Sequence, residues 1–343
     1  MARSNCRFLC LIDMLKALSF SVCLCLSMAA SAADFSFALW GDMPYGKNKD
    51  ARQTQAVINS INRSEVAFSI FDGDFKDGSS RCDDAGYHAA YVMFEGMKKP
   101  TVYVPGDNEW TDCHRANNGG YNSQERLSLI RRTFFSQPLS LGQEKMPLQN
   151  QGALGEKFSE NTRFQVEGVV FLGLNVPGSN NNWVPDAKTC ASKSVRTPAD
   201  CEEANQEYEA RNQANLAWLA SSFAQATTRA AKGVVIVFQA NPGFDLLETE
   251  KVDESQLPEY AGYQSLMAAV AYETAQFKGQ VLLVHGDDHF FKMDKPLYAP
   301  SKLLNNFTRV QTFGSPSNHW VKVLVNKDDP EVFTIKPVIV HLD

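Results

Sequence analysis

Along this chain, short apolar runs with the two-residue period of strands are separated by longer stretches with the spacing of amphipathic helices. FSFALW (35–40) predicts the first strand, and the apolar spacing of AVINSI (56–61) predicts a helix leading into a second strand, VAFSIF (66–71). A helix over 86–98 precedes the strand TVYV (101–104), and helical spacing returns over 123–135. RFQVEGVVFLGL (163–174) reads as a hairpin turning at Glu167-Gly168. An amphipathic helix carrying Leu216, Trp218, Leu219 and Phe223 is expected over 205–224. Strand GVVIVFQ (233–239), a helix over 260–277 and strand QVLLVH (280–285) follow. The tail segments FTRVQTF, HWVKVLV and EVFTIKPV read as antiparallel strands. Strand–helix alternation followed by such a tail predicts an α/β protein with parallel pairing and a second, antiparallel region. The polar stretch 176–202 is expected to be a surface loop clipped by a disulfide.

The first 32 residues depart from this pattern. Arg3, Arg7 and Lys16 precede the apolar stretch ALSFSVCLCLSMAA, which ends in Ala30-Ser31-Ala32-Ala33. That order is the pattern of a secretory signal peptide cleaved after Ala32 or Ala33. The stretch is too short to span a membrane well, and no later run approaches the needed length. The expectation is an exported chain, periplasmic or extracellular, with residues 33–343 as one domain and no membrane span. Removing the leader takes Cys6, Cys10, Cys23 and Cys25 and leaves Cys82, Cys113, Cys190 and Cys201. An even set in an exported chain predicts two disulfides, with Cys82–Cys113 and Cys190–Cys201 favoured because each pair lies in loop-like sequence. The 343 residues carry a net charge of −6, which argues against nucleic-acid binding through a basic face.

Chemistry collects where the strands end. FSFALW is followed by Gly41-Asp42, VAFSIF by Asp72-Gly73-Asp74, TVYV by Pro105-Gly106-Asp107-Asn108-Glu109, GVVIVFQ by Ala240-Asn241, and VLLVH by Gly286-Asp287-Asp288-His289. One Gly-Asp step after a strand is ordinary turn chemistry. Four of them are harder to assign to turns. In a mainly parallel sheet the carboxyl ends open onto one rim, where ligands bind. That geometry would gather Asp42, Asp74, Asp107, Asp287 and His289. Carboxylates so close repel one another unless a cation is present, and a divalent metal or a pair of them resolves the conflict.

The order G-D, then G-D-x-x-D, then a glycine-led third motif, a polar residue after a mid-chain strand and a closing G-x-x-H resembles the calcineurin-like metallophosphoesterases. The motifs span residues 41 to 289. The resemblance implies a four-layer α/β sandwich of two mixed sheets flanked by helices, with two divalent ions and a small phosphorylated substrate hydrolysed by metal-activated water. It implies that Asp74 bridges the metals, with Asp42 and His289 on one and Asp107 or Asn108, Gln239 and Asp287 on the other.

The departures from the family pattern are chemical. The D-x-H of the first motif stands here as Asp42-Met43-Pro44, and G-N-H-[D/E] as Gly106-Asp107-Asn108-Glu109. The mid-chain histidine is Gln239, with Asn241 as an alternative alignment, and the closing G-H-x-H is Gly286-Asp287-Asp288-His289. Oxygen ligands in place of imidazoles weaken zinc and favour harder ions among Mn, Mg, Fe, Ca and Zn. Asn108 takes the place of the family's catalytic histidine, and His114 or His285 could replace that group. Glu109 reads as structural, and His285, ending a strand, also reads as a core histidine. The alternative function is a catalytically impaired relative, binding phosphate or a partner or stabilised by calcium. Specificity is expected in rim loops 109–122, 176–202 and 243–258.

Overall fold

The computed structural model describes residues 34–46, 49–244, 254–299 and 302–342; the leader over 1–32 and part of the rim loop 243–258 lie outside them. In chain order the strands are β1 (Phe35–Trp40), β2 (Phe68–Phe71), β3 (Thr101–Tyr103), β4 (Gln149–Asn150), β5 (Thr162–Val166), β6 (Val169–Gly173) and β7 (Gly233–Val237). They continue as β8 (Gln280–His285), β9 (Lys292–Asp294), β10 (Tyr298–Ala299), β11 (Lys302–Leu303), β12 (Phe307–Gln311), β13 (Trp320–Val325) and β14 (Phe333–Val338). A five-stranded sheet runs β14-β13-β1-β2-β3, and a seven-stranded sheet runs β4-β5-β6-β7-β8-β12-β9.

Side-chain alternation assigns the layers. In β1, Phe37 and Leu39 enter an apolar core shared with Phe171, Val235 and Val284 of the other sheet. Ala38 and Trp40 point the opposite way, into a core with the helices Lys49–Arg63, Asp84–Glu95 and Ser123–Phe134. The seven-stranded sheet buries Leu172, Ile236 and Leu283 against the helices Pro198–Thr228 and Gln264–Gln276. A period of two thus gives each strand one face per core, and the result is two mixed sheets flanked by helices.

The expected strands and helices occur with their ends moved by a few residues. At the predicted hairpin, Glu167 has φ 43° and Gly168 φ 79°, the pair of left-handed residues that a two-residue turn between twisted strands requires. Two expectations need correction. The tail is no separate antiparallel region: β12 lies parallel to β8 in one sheet, while β13 lies antiparallel to β1 in the other. Apolar pattern reports burial but not the partner, so it could not divide these strands. The long helix begins at Pro198 rather than 205, because Thr197 and Asp200 form a reciprocal capping box with proline in the first turn. Its first turns carry few apolar residues and so lack a readable stripe. Disulfides join Cys82 to Cys113 and Cys190 to Cys201, the favoured pairing.

Candidate metal centre

Strands β1, β2 and β3 are parallel, as are β6, β7, β8 and β12. Their carboxyl ends supply the loops of the site from both sheets. Asp42, Asp74, Asp287 and His289 all have positive φ, at 49°, 60°, 78° and 68°. Such conformations are strained for side chains other than glycine, and they persist where the surroundings enforce them. The close approach of the loops also excludes side chains at the neighbouring glycines. A Cβ on Gly106 would fall 2.1 Å from Asp74 Oδ1, and one on Gly286 would fall 2.2 Å from Asp42 Oδ2.

Asp74, Asp107 and Asp287 bring one carboxylate oxygen each within 4.8 Å of one another. Burial, and then the Asp107 carboxylate, push the carboxyls of both Asp74 and Asp287 well above the usual range. Neutral donors hold the cluster in place. Asp74 Oδ2 accepts from Asn108 Nδ2 at 2.7 Å, Tyr45 Oη at 3.0 Å and Gln239 Nε2 at 3.2 Å. Asp287 Oδ1 accepts from Gln239 Nε2 at 3.1 Å, and its Oδ2 from the Asn241 amide at 3.0 Å. Asp107 Oδ2 accepts from Ser179 Oγ at 2.7 Å.

Beside this cluster, His289 Nε2 lies 3.3 Å from Asp42 Oδ1, and Tyr45 Oη is 3.0 Å from the same oxygen, so its single proton serves either Asp42 or Asp74. The other imidazole nitrogen, Nδ1, is 2.6 Å from the Ser315 carbonyl, which fixes the ring and turns Nε2 toward the carboxylates. This backing of one ring nitrogen is the arrangement metal-ligating histidines use. Burial opposes charge on His289, but the Asp42 carboxylate overrides it and raises the pKa to about 9. Asp50 ties the two sides of this half: Oδ2 accepts from the Gly46 amide at 3.0 Å, while Oδ1 accepts from Ser315 Oγ at 2.6 Å.

Other candidates fall elsewhere. Asn108 and Gln239 present amide nitrogens to the carboxylates, and Gln239 Oε1 is committed to the Gly178 amide at 2.6 Å. As oriented, both position carboxylates rather than offering an oxygen. Glu109 is structural: Oε1 accepts from Gly106 N at 2.8 Å, Tyr103 Oη at 2.8 Å and Asp74 N at 3.1 Å. His285 is fully buried, with Nε2 3.2 Å from Arg309 Nη1 and Nδ1 3.0 Å from Gly286 O. Burial, and then Arg309, lower its pKa to about 3. It is a core histidine facing away from the carboxylates. His114 lines a cavity beside the cluster; burial, then Arg196 and Arg115, lower its pKa to about 3.

Sequence reasoning missed the hydroxyls. From sequence Tyr45 is only a candidate aromatic wall for an organic leaving group, yet its hydroxyl lies 3.0 Å from both Asp42 Oδ1 and Asp74 Oδ2. Ser179 belongs to a turn in which Ser179, Asn180, Asn181 and Asn182 all have φ between 52° and 64°. The run of asparagines was the available signal, since asparagine tolerates this conformation better than most residues. Ser179 Oγ also lies 2.8 Å from Asp112 Oδ1, and burial followed by Asp107 raises the Asp112 pKa to about 7.

The donor set fits a divalent cation. Three crowded carboxylates supply hard oxygen ligands and a charge that a cation relieves. Space is kept at Gly178, where a Cβ would fall 2.8 Å from Asp107 Oδ2 and 3.0 Å from Asp287 Oδ1. Asp74, Asp107 and Asp287 would hold such an ion.

No family model and no curated protein matches the sequence. The structure is similar to that of a dimetal phosphatase from Danio rerio, with a TM-score of 0.52 at 12% identity over 89% of this chain and 96% of that one. It is similar to PhoD with a TM-score of 0.52 at 12% identity, over 90% of this chain and 69% of that one. At such identities the likeness speaks for architecture, and with the two flanked mixed sheets it places this chain in the calcineurin-like metallophosphoesterase fold.

Proposed function

We propose that this chain is an exported, metal-dependent phosphoesterase acting on small phosphorylated substrates. The observation that carries the reading is the convergence of Asp74, Asp107 and Asp287 within 4.8 Å at the carboxyl rims of both sheets. In this reading Asp74 is shared by two ions, Asp42 and His289 complete one set, and Asp107 and Asp287 complete the other. Bound there, divalent ions supply a Lewis acid for phosphate oxygens and a water of lowered pKa. Gln239, Asn108 and Tyr45 hold the ligand carboxylates by hydrogen bonds. The oxygen-rich set favours manganese, magnesium or calcium over zinc. Two disulfides and the leader-like residues 1–32 support export to an oxidising compartment.

A second reading is a binding module of the same fold. One observation favours it: Asn108, in place of the family's catalytic histidine, is engaged by Asp74, and His285 faces Arg309 instead of the site. One experiment separates the two. Metal content is measured, and hydrolysis of p-nitrophenyl phosphate and bis(p-nitrophenyl) phosphate is assayed with each divalent ion. Asp74→Asn should lower turnover by on the order of 100-fold or more. Metal binding without turnover selects the binding module, and turnover indifferent to Asp74→Asn removes the metal mechanism.

A further inference from the structure

A cavity of about 610 Å³ lies against Asp287 and Ser179, and its lining also includes His114, Arg115 and Arg196. The volume suits a small organic ligand. The two guanidiniums differ in how they are satisfied. Arg115 pairs with Asp112 at 2.6 Å and donates to Ser179 Oγ at 3.3 Å. Arg196 is half-buried, and its side chain bonds Ser194 Oγ at 3.2 Å; no carboxylate among the described residues pairs with it. Burial lowers its pKa and Arg115 adds repulsion, while the Asp112 and Asp200 carboxylates, not paired with it, oppose both at longer range.

The segment carrying Arg196 is held against the cavity wall. Val195 N donates to His114 O at 3.1 Å, Arg115 and Ser194 form an isolated β-bridge, and Cys190–Cys201 closes the loop. The guanidinium is therefore kept partly out of water beside a second cation, an arrangement that costs free energy unless an anion completes it. Arginine is also the side chain best shaped to receive a planar or tetrahedral oxyanion. Trp183, half-buried with its ring 5.2 Å from that of Tyr208, adds an apolar surface to the same lining.

We infer that the cavity takes a phosphate ester bearing a second anionic group, which Arg196 binds while the ester phosphate lies at the carboxylate cluster. This deepens the phosphoesterase reading and rests on it for the position of the first phosphate. The test uses two matched pairs: glycerol 3-phosphate with 3-phosphoglycerate, and glucose 6-phosphate with 6-phosphogluconate. They place a carboxylate at a short and a long distance from the phosphate.

In at least one pair the acidic ester should have a kcat/KM about tenfold higher. Arg196→Gln should bring that ratio close to one, and Arg196→Lys should retain part of it. No preference in either pair, or a preference that survives Arg196→Gln, overturns the inference. Calorimetric binding of the same four compounds covers the case in which none is hydrolysed. Tighter binding of an acidic member, lost in Arg196→Gln, then upholds the anion site, and the phosphoesterase reading is decided separately by the two p-nitrophenyl esters. Equal binding, or none, overturns the anion site itself.

Discussion

Asp107 adds a third carboxylate where Asp74 and Asp287 already crowd, and after burial its repulsion is what raises the carboxyls of both. Asparagine at this position keeps an oxygen for Ser179 Oγ and removes the charge. Asp107→Asn should therefore stabilise the metal-free protein by about 1 kcal/mol while weakening divalent-ion affinity about tenfold. Melting in chelator and equilibrium dialysis measure the two effects; a lower melting point with unchanged affinity would contradict the repulsion argument. His285 gives a prediction of the other sign. Its folded pKa of about 3 lies below its unfolded value, so the folded state binds fewer protons between the two. The stability of the neutral ring is present above about pH 6.5 and is lost as pH falls toward 3. Going from about pH 7 to about pH 5 should cost wild type roughly 2 kcal/mol more than His285→Gln. Denaturant titrations at the two pH values check this, and the comparison cancels the carboxylates, whose raised pKa values act in the opposite sense. Equal pH dependence in both proteins would place His285 outside the buried pair with Arg309.

At the scale of elements, the segment from Gly178 to the start of the helix Pro198–Thr228 consists of turns and the short helix Ala187–Ala191, braced by one disulfide. It carries both Ser179 and Arg196, so its order bears on the carboxylates and the cavity together. Replacing Cys190 and Cys201 by serine should free the loop between them, at a cost of about 3 kcal/mol or less. Because the capping box at Thr197 still starts the helix, the loss should be local: faster protease cleavage between 182 and 197 and little change in global melting. Mass mapping of limited digests tests this, and unchanged cleavage would show that the turn contacts alone hold the segment. This segment also marks where sequence legibility stops. Alternation in β1 and the Gly-Asp steps at strand ends were readable, because burial period and turn chemistry are local. The sequence pattern predicts a single rim, whereas the structure brings Asp42, Asp74 and Asp107 from the rim of one sheet together with Asp287 and His289 from the rim of the other. The left-handed turn at Ser179 and the hydroxyl of Tyr45 act through contacts far along the chain, Tyr45 Oη with Asp74 Oδ2 at 3.0 Å among them. The partner choice of β12 and β13 is likewise non-local, since equally buried strands can pair in either sheet.

For the molecule as a whole, the site lies at a seam. Asp42, Asp74 and Asp107 follow strands of the five-stranded sheet, while Gln239, Asp287 and His289 follow strands of the seven-stranded one. Hydrogen bonds already cross between them: Asp287 N donates to Asp42 Oδ2 at 3.1 Å, and Thr312 Oγ1 to Asp72 Oδ2 at 2.8 Å. A cation held by carboxylates from both sides would add a link between the sheets, and an ion that binds only the folded chain stabilises all of it. At a hundred times its dissociation constant that linkage is worth about 2.7 kcal/mol. Melting should rise with manganese, magnesium or calcium, rise less with zinc, and return to baseline with chelator. Asp287→Asn should reduce the rise, because it removes the charge that the seven-stranded sheet contributes to the Asp74, Asp107 and Asp287 set. Hydrogen exchange gives the sharper reading: metal should protect the ends of β2 and β8 together. Protection confined to one sheet would mean that the ion binds a single loop, and the seam would then owe its closure to the apolar core between the sheets and the hydrogen bonds that already cross it.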